Sequence, residues 1–546
     1  MLSEYSRREV LAAFLGIPAA LSGCGTATPP KLPPGKLVGA SASIGHRLRD
    51  GLKVEVPDDK WESTRVVIVG GGIAGLSAAR QLRKSGIDDF VILELEPRIG
   101  GTSASGSSDV VAYPWGAHYV PAPSADNVDL IEFLEELNVF EGRDDDGDPI
   151  VAEQHLCRDP QERIFYKGTW YEGLYLAAGA SPEDLDQFQQ FKAEIKKWVG
   201  WRDSQGRRAF ALPMAAGSDD ADITALDKLT MADWLKQHGW NSERLKWYVE
   251  YACRDDYGLT LDQTSAWAGL FYFVSRMSQP GKEPRPFITW PEGNGRLVKH
   301  LYDPVEQQTR IGWAVADINP VTRDDREAVD LMAVSADGNT TIGFRAEHVI
   351  FAAPQFLTRY LIRPYRKDPP KHVTDFQYSA WCVANLELTE RPENRGFPLC
   401  WDNVLYESPS LGYVTATHQK SMDYGPTVLT YYYPLCDADP RTARQRLLDQ
   451  GRDVWAEIAL SDLERAHPNI RENTSRIDVM RWGHAMIRPT PGFVYGGSRQ
   501  QATQSFRNIH FAHSDLSGVA LFEEAFNRGT RAGAAVAESI AEEPVA

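Results

Sequence analysis

Between Val66 and Glu94 the chain follows a pattern that few folds accommodate. Val66-Val67-Ile68-Val69 is a short, continuous apolar run, as expected of a parallel strand buried on both faces. Gly70-x-Gly72-x-x-Gly75 follows at once. Ile73 to Lys84 then has helical spacing, with small or apolar residues at Ala74, Leu76, Ala78, Ala79 and Leu82. Gly86 closes this helix, Phe90-Val91-Ile92-Leu93 makes a second strand, and Glu94 ends it, 24 positions after Gly70. Gly70 permits the tight turn, Gly72 lets a pyrophosphate approach the backbone, and Gly75 lets helix pack on strand. The pyrophosphate would sit on the helix N-terminus, where free N–H groups point outward. Glu94 would accept bonds from ribose hydroxyls and repel a 2′-phosphate, which argues against NADP. The pattern alone does not separate NAD from FAD.

The remaining composition is that of a globular chain: 546 residues, 42% hydrophobic and 24% charged. Lys and Arg number 58 against 75 Asp and Glu, a net charge of −17. Nucleic-acid binding needs clustered cations, so the balance speaks against a nucleic-acid partner. Fifteen Trp supply a large core and an aromatic-lined pocket. Cys24, Cys157, Cys253, Cys382, Cys400 and Cys436 form neither a CxxC nor a zinc spacing, and no metal site is expected. Asp144-Asp145-Asp146-Gly147-Asp148 lacks the closing Glu of an EF-hand loop and reads as a solvated loop.

The amino terminus reads as an address. Arg7-Arg8 precede an apolar run, Val10 to Leu21, that is too short to span a bilayer. Ser6-Arg7-Arg8-Glu9-Val10-Leu11 resembles a twin-arginine export signal, and Leu21-Ser22-Gly23-Cys24 resembles a bacterial lipobox. The expectation is a signal over 1–23, acylation of Cys24, and a Pro-rich tether over 24–63. That implies the twin-arginine machinery as a partner and a lipid-anchored position at the cell envelope, periplasmic or on the outer surface.

Past Glu94, Arg98-Ile99-Gly100-Gly101-Thr102 resembles the R-x-G-G segment of the flavin amine oxidase superfamily, which includes amine oxidases, protoporphyrinogen oxidases and carotenoid desaturases. Trp115-Gly116-Ala117-His118-Tyr119 is similar to the family's next segment, beside the flavin ring. Trp290-Pro291-Glu292-Gly293-Asn294-Gly295-Arg296-Leu297 is similar to its P-x-G-G turn, with Asn294 in place of the second glycine and compatible with a left-handed backbone. Asn319-Pro320-Val321 looks like the strand whose Val backbone meets adenine. His348 to Pro354 looks like a further family strand, and Phe511 to Asp515 with Glu523, Ala525 and Gly529 looks like the carboxyl-terminal strand and helix. The resemblance implies non-covalent FAD, held by Gly70, Gly72, Gly75, Glu94, Arg98, Gly100, Gly101, Thr102, Ala117, Val321, Asp515 and Glu523.

It also implies an α/β fold: a discontinuous Rossmann-type FAD-binding domain (64–125, 285–370 and 500–546) with an inserted α+β substrate domain (126–284 and 371–499). The first insertion reads as largely helical and the second as strands with one helix from Arg441 to Ala466. Catalytic candidates are His118, Trp381 and Trp482, with His484 and Tyr495 behind them. The strand Tyr378 to Val383 has no Lys where many amine oxidases carry one, and Leu521 stands where a second cage aromatic would fall, although Phe522 adjoins it. The leading reading is an exported FAD-dependent oxidoreductase taking a hydride from a small-molecule amine, polyamines included. The alternatives are a desaturase or dehydrogenase of an apolar substrate, and a degenerate flavoprotein with a binding role. A carboxylate in the pocket would favour amines; an all-apolar tunnel would favour the desaturase.

Overall fold

A computed structural model describes residues 32–420 and 423–542. The expectations for Arg7, Arg8 and Cys24 fall outside those residues. Two large sheets organise the chain. The first runs Thr309–Ile311, Phe90–Glu94, Trp61–Val69, Thr341–Phe351, Arg326–Ser335, Trp313–Arg323, with Ile509–Phe511 also pairing with Thr341–Phe351. Its centre is parallel: Val66–Val69 align with Phe90–Leu93 on one side and with His348–Phe351 on the other. Val66, Val67, Ile68 and Ile350 have no exposed surface, as the uninterrupted apolar runs require.

The helix Ile73–Lys84 covers one face of this sheet, and the carboxyl-terminal helix Phe522–Glu542 lies along it. The contact depends on small residues. A Cβ at Gly529 would lie 2.1 Å from the Ala74 carbonyl oxygen, and one at Gly533 would lie 2.7 Å from that of Ala78.

The second sheet has eight strands: Leu37–Gly39, Thr474–Ile487, Tyr378–Leu388, Thr427–Pro434, Tyr413–Thr415, Asp402–Leu405, Glu162–Tyr166, Thr169–Glu172. The helices Pro182–Gly200, Met231–Gln237, Glu243–Tyr257 and Ala266–Val274 form a separate apolar cluster beside it. Ser181 starts the first of them with a capping box closed by Asp184.

Three expectations need correction. The single helix over 441–466 is two, Pro440–Asp449 and Arg452–Leu463, because Gly451 is extended and starts the second. The stretch read as a tether is built into the body from residue 32 onward. Leu37–Gly39 pairs in parallel with Val479–Arg481, Ala42–Arg49 is a helix, and Ile44 is buried against Ala314, Ala316 and Val334. The first insertion is not only helical, since Glu162–Tyr166 and Thr169–Glu172 belong to the second sheet. Among the described residues no helix is long and apolar enough to cross a membrane.

Gly529→Ala forces the two helices of the first sheet apart. We expect a loss of about 1–3 kcal/mol in stability, read by thermal or denaturant unfolding.

Candidate active site

The glycine turn is built as its residue pattern requires. Gly70 has φ +105°, and a Cβ at Gly75 would lie 1.9 Å from the Gly70 carbonyl oxygen. Gly72 begins the helix with no side-chain cap, and a Cβ there would meet nothing within 4 Å. The first helical N–H groups therefore face open space, as a diphosphate needs. The Gly100 N–H donates to the Gly71 carbonyl at 2.8 Å, which lays Gly100 and Gly101, both left-handed, against the turn. Thr102 accepts from the Ala117 N–H at 2.9 Å and so carries the chain to Trp115–Tyr119. Asn294 donates through Nδ2 to the Tyr119 carbonyl at 3.1 Å. The left-handed residue of that turn is Gly293, at φ +58°; Asn294 is right-handed, which corrects the expectation.

Glu94 reaches the turn, where its carboxylate accepts from the Gly71 and Glu96 N–H groups, both at 2.7 Å. Burial pushes it up to about 7 despite those bonds. Asp515 is buried and accepts from the Gln355 N–H at 2.9 Å and from the Tyr378 hydroxyl, with His513 Nδ1 3.0 Å away. Burial opposes its charge, but His513 and these bonds hold it below the ordinary range. Buried polar atoms without a protein partner among the described residues remain at Asn294 Oδ1 and Gln355 Nε2. Open helix N–H groups, left-handed glycines and orphaned polar atoms fit a long polar cofactor along this trough. Arg98 lies at its edge, with Nη2 3.9 Å from Met480 Sδ. Val321 is not brought there. It sits near the far hairpin end of Trp313–Arg323, paired with Ala328, and its carbonyl accepts from Arg507. Val315, packed with Val69, Val91 and Leu93, holds the near end of that strand.

A cavity opens beside Trp115–Tyr119. His118, Tyr119, Tyr272, Phe287, Trp401 and Tyr432 form aromatic walls. Glu162, Asp255 and Asp402 share that lining. Asp402 and Glu162 are register partners on adjacent parallel strands, so their carboxylates stand opposite each other on one face. Asp255 is in the last turn of Glu243–Tyr257, where the helix dipole disfavours negative charge. Asp402 accepts from the Tyr251 hydroxyl at 2.7 Å. No donor among the described residues bonds the Glu162 or Asp255 carboxylate. Arg276, the neighbouring cation, donates to both oxygens of Asp256, at 2.8 and 2.9 Å. Burial, reinforced by mutual repulsion, pushes Glu162 and Asp402 up to about 7 and Asp255 well above the carboxylate range. Among the described residues no group of His, Cys, Asp or Glu is placed to hold a metal ion.

Of the catalytic candidates, His118 lines the cavity, and burial lowers it to about 4, so it is neutral near pH 7. Trp482 is outside the lining and donates to the Trp115 carbonyl at 2.7 Å, which holds the segment leading to His118. Trp381 is its cross-strand partner and packs behind the cavity on Gly258. His484 stacks on Phe356, and Tyr495 packs near Trp267 in the helical cluster, both outside the lining. Sequence reading missed Glu162, Asp255 and Asp402.

A family model described as "Flavin containing amine oxidoreductase" matches residues 73–537. The chain belongs to that family. It is an FAD-dependent oxidoreductase. Polyamine oxidase 1 of Zea mays is 26% identical over 165 residues, 30% of this chain and 28% of the relative. The chain spans less than half the length of the curated relatives it matches. A putrescine oxidase redesigned for cofactor binding superposes with a TM-score of 0.63 at 16% identity, covering 87% of this chain and 99% of that one. Cyclohexylamine oxidase from Brevibacterium oxydans gives 0.60 at 16%, covering 88% and 100%. These two likenesses concern the fold.

The raised carboxylates set a pH dependence. Glu162 and Asp402 bind protons more tightly in the fold than in the unfolded chain. Ionisation therefore penalises the fold increasingly as pH rises from about 4 to about 7, and the penalty is constant above. Glu162→Gln removes part of it. In ligand-free protein the melting temperature of Glu162→Gln relative to the parent should climb between pH 5 and pH 7.5.

Proposed function

We propose that this protein oxidises a cationic amine by hydride transfer to FAD, with substrates bearing more than one ammonium group favoured. The observation that carries the reading is the set of three carboxylates, none of them in an ion pair among the described residues and two only partly offset by Arg276, in an aromatic-walled cavity. Half-buried carboxylates crowded together favour a counter-charge, and an ammonium group over aromatic faces supplies one. A tunnel for an apolar substrate gains nothing from these groups and is burdened by their desolvation.

Bound FAD supplies the hydride acceptor. The N–H groups at Gly72 and Ile73 would hold its diphosphate, Glu94 its ribose, and Gly100 to Thr102 the linker beyond. Asp515 would meet the cofactor beside Gln355, whereas Glu523 lines a separate cavity with Pro121, Asn127 and Arg285. Trp482 and Tyr432, which donate to the Trp115 and Gly116 carbonyls at 2.7 and 2.8 Å, would hold the segment beside the ring in place. The carboxylates orient the ammonium and the aromatic walls exclude water.

The reading is tested with FAD-loaded protein mixed anaerobically with monoamines, diamines and polyamines while flavin absorbance is followed. Diamines or polyamines should bleach it fastest. Asp255→Asn should raise KM about 10–100-fold with the oxidised flavin spectrum unchanged, as expected for loss of about 1.4–2.7 kcal/mol of charge-assisted binding. A flavin that no amine bleaches would remove the amine reading.

Arg7, Arg8 and Cys24 support export by the twin-arginine route and acylation. Cys24→Ala should move the protein from the membrane fraction to the soluble envelope fraction.

A further inference from the structure

Glu162 and Asp402 are fixed by strand register on one face, and Asp255 closes the group from the end of a helix. Among the described residues, Arg276 is the cation whose charge reaches Glu162 and Asp255, and it offsets them only in part. Tyr251 donates to Asp402, while Tyr119, Tyr272 and Tyr432 present phenols that burial keeps protonated. His118 is neutral, and Arg276 donates through Nη2 to both oxygens of Asp256 while its Nε and Nη1 have no protein partner among the described residues. With the cavity free of substrate, full ionisation would place three negative charges together in a half-buried space, and no backbone donor offsets two of them. Such a group is stable only with a cation in the cavity or with protons on its own oxygens.

We propose that Glu162, Asp255 and Asp402 form a proton-for-ammonium exchange site: the free cavity holds protons on the carboxylate group, and an entering ammonium group expels protons to solvent. This rests on the cationic-substrate reading and gives it a specificity rule. A neutral ligand expels nothing, so it gains no charge pairing and meets a protonated wall. A ligand with two ammonium groups expels more than one with a single group and gains more from rising pH. No bond other than O–H changes, and the departing proton goes to buffer. The three groups titrate as a set, so the exchange belongs to the set and not to one residue.

The test uses FAD-loaded protein and tetramethylammonium chloride. This cation has no proton to lose, so any proton exchanged comes from the protein. Calorimetric titration at pH 6.5 in two buffers of different ionisation heat gives the number of protons released. We expect about one proton expelled per ion bound, and an affinity that tightens several-fold, and at most about tenfold per pH unit, from pH 6 to pH 8. Glu162→Gln should reduce the protons released. If that variant does not fold, the two-buffer comparison on the parent protein carries the test alone. Binding with no proton released, or with proton uptake, overturns the proposal. Failure of tetramethylammonium to bind while amines bleach the flavin also overturns it and leaves the amine reading standing. Proton release without bleaching by any amine supports the exchange site and removes the reading of amine oxidation.

Discussion

The Thr341–Phe351 strand is the constraint on which the rest depends. It hydrogen-bonds to Trp61–Val69, to Ile509–Phe511 and to Arg326–Ser335, so one strand ties together segments far apart in sequence. The parallel centre of the first sheet cannot close until all of these are present. The two long excursions between them must leave and return near the same edge. They build all of the second sheet except Leu37–Gly39. The cavity lies where Trp115–Tyr119 from one body meets Tyr432, on the strand Thr427–Pro434, and the Glu162–Asp402 pair from the other.

The electrostatics of that junction run against ordinary packing. Like charges face each other in register, and two aspartates end a helix whose dipole favours cations there. The opposite face of the same two strands shows a different oddity. Arg163 has no exposed surface, and its bonds go to the neutral groups Asn403, Asn394, Tyr413 and the Phe397 carbonyl. Its guanidinium lies 3.8 Å from the centre of a Trp170 ring. Strand alternation thus sends acid to one side and base to the other, instead of letting Glu162 and Arg163 neutralise each other.

The first sheet's core and glycine turn are legible in the sequence because their signals are local: an apolar run, three glycines and a helix period within about thirty residues. The helices at 182–200 and 231–237 are legible for the same reason. The acidic cavity is not. Its hairpin turns on Lys167-Gly168, both left-handed, where Asn-Gly would have announced it. Apolar spacing ends the helix bearing Asp255 at Cys253, although it runs to Tyr257 and the left-handed Gly258 marks its end. Two aspartates just before such a glycine are the available clue. The pairing of Asp402 with Glu162 is a fact of register between distant segments, and no single-sequence pattern carries it. Val321 is misplaced by sequence reading because a valine after Asn-Pro gives no measure of how far along its strand it lies.

The first described strand has a consequence for the order of events in a cell. Lys36 donates its N–H to Asp478 at 2.8 Å, across 442 positions, and Leu37–Gly39 finds its partners only at Val479–Arg481. While the ribosome is still making the middle of the chain, that edge of the second sheet does not exist. The amino end can settle only after most of the protein has been synthesised and the Thr474–Ile487 strand has joined its sheet. Docking of Leu37 is thus a built-in sign that the chain has been completed.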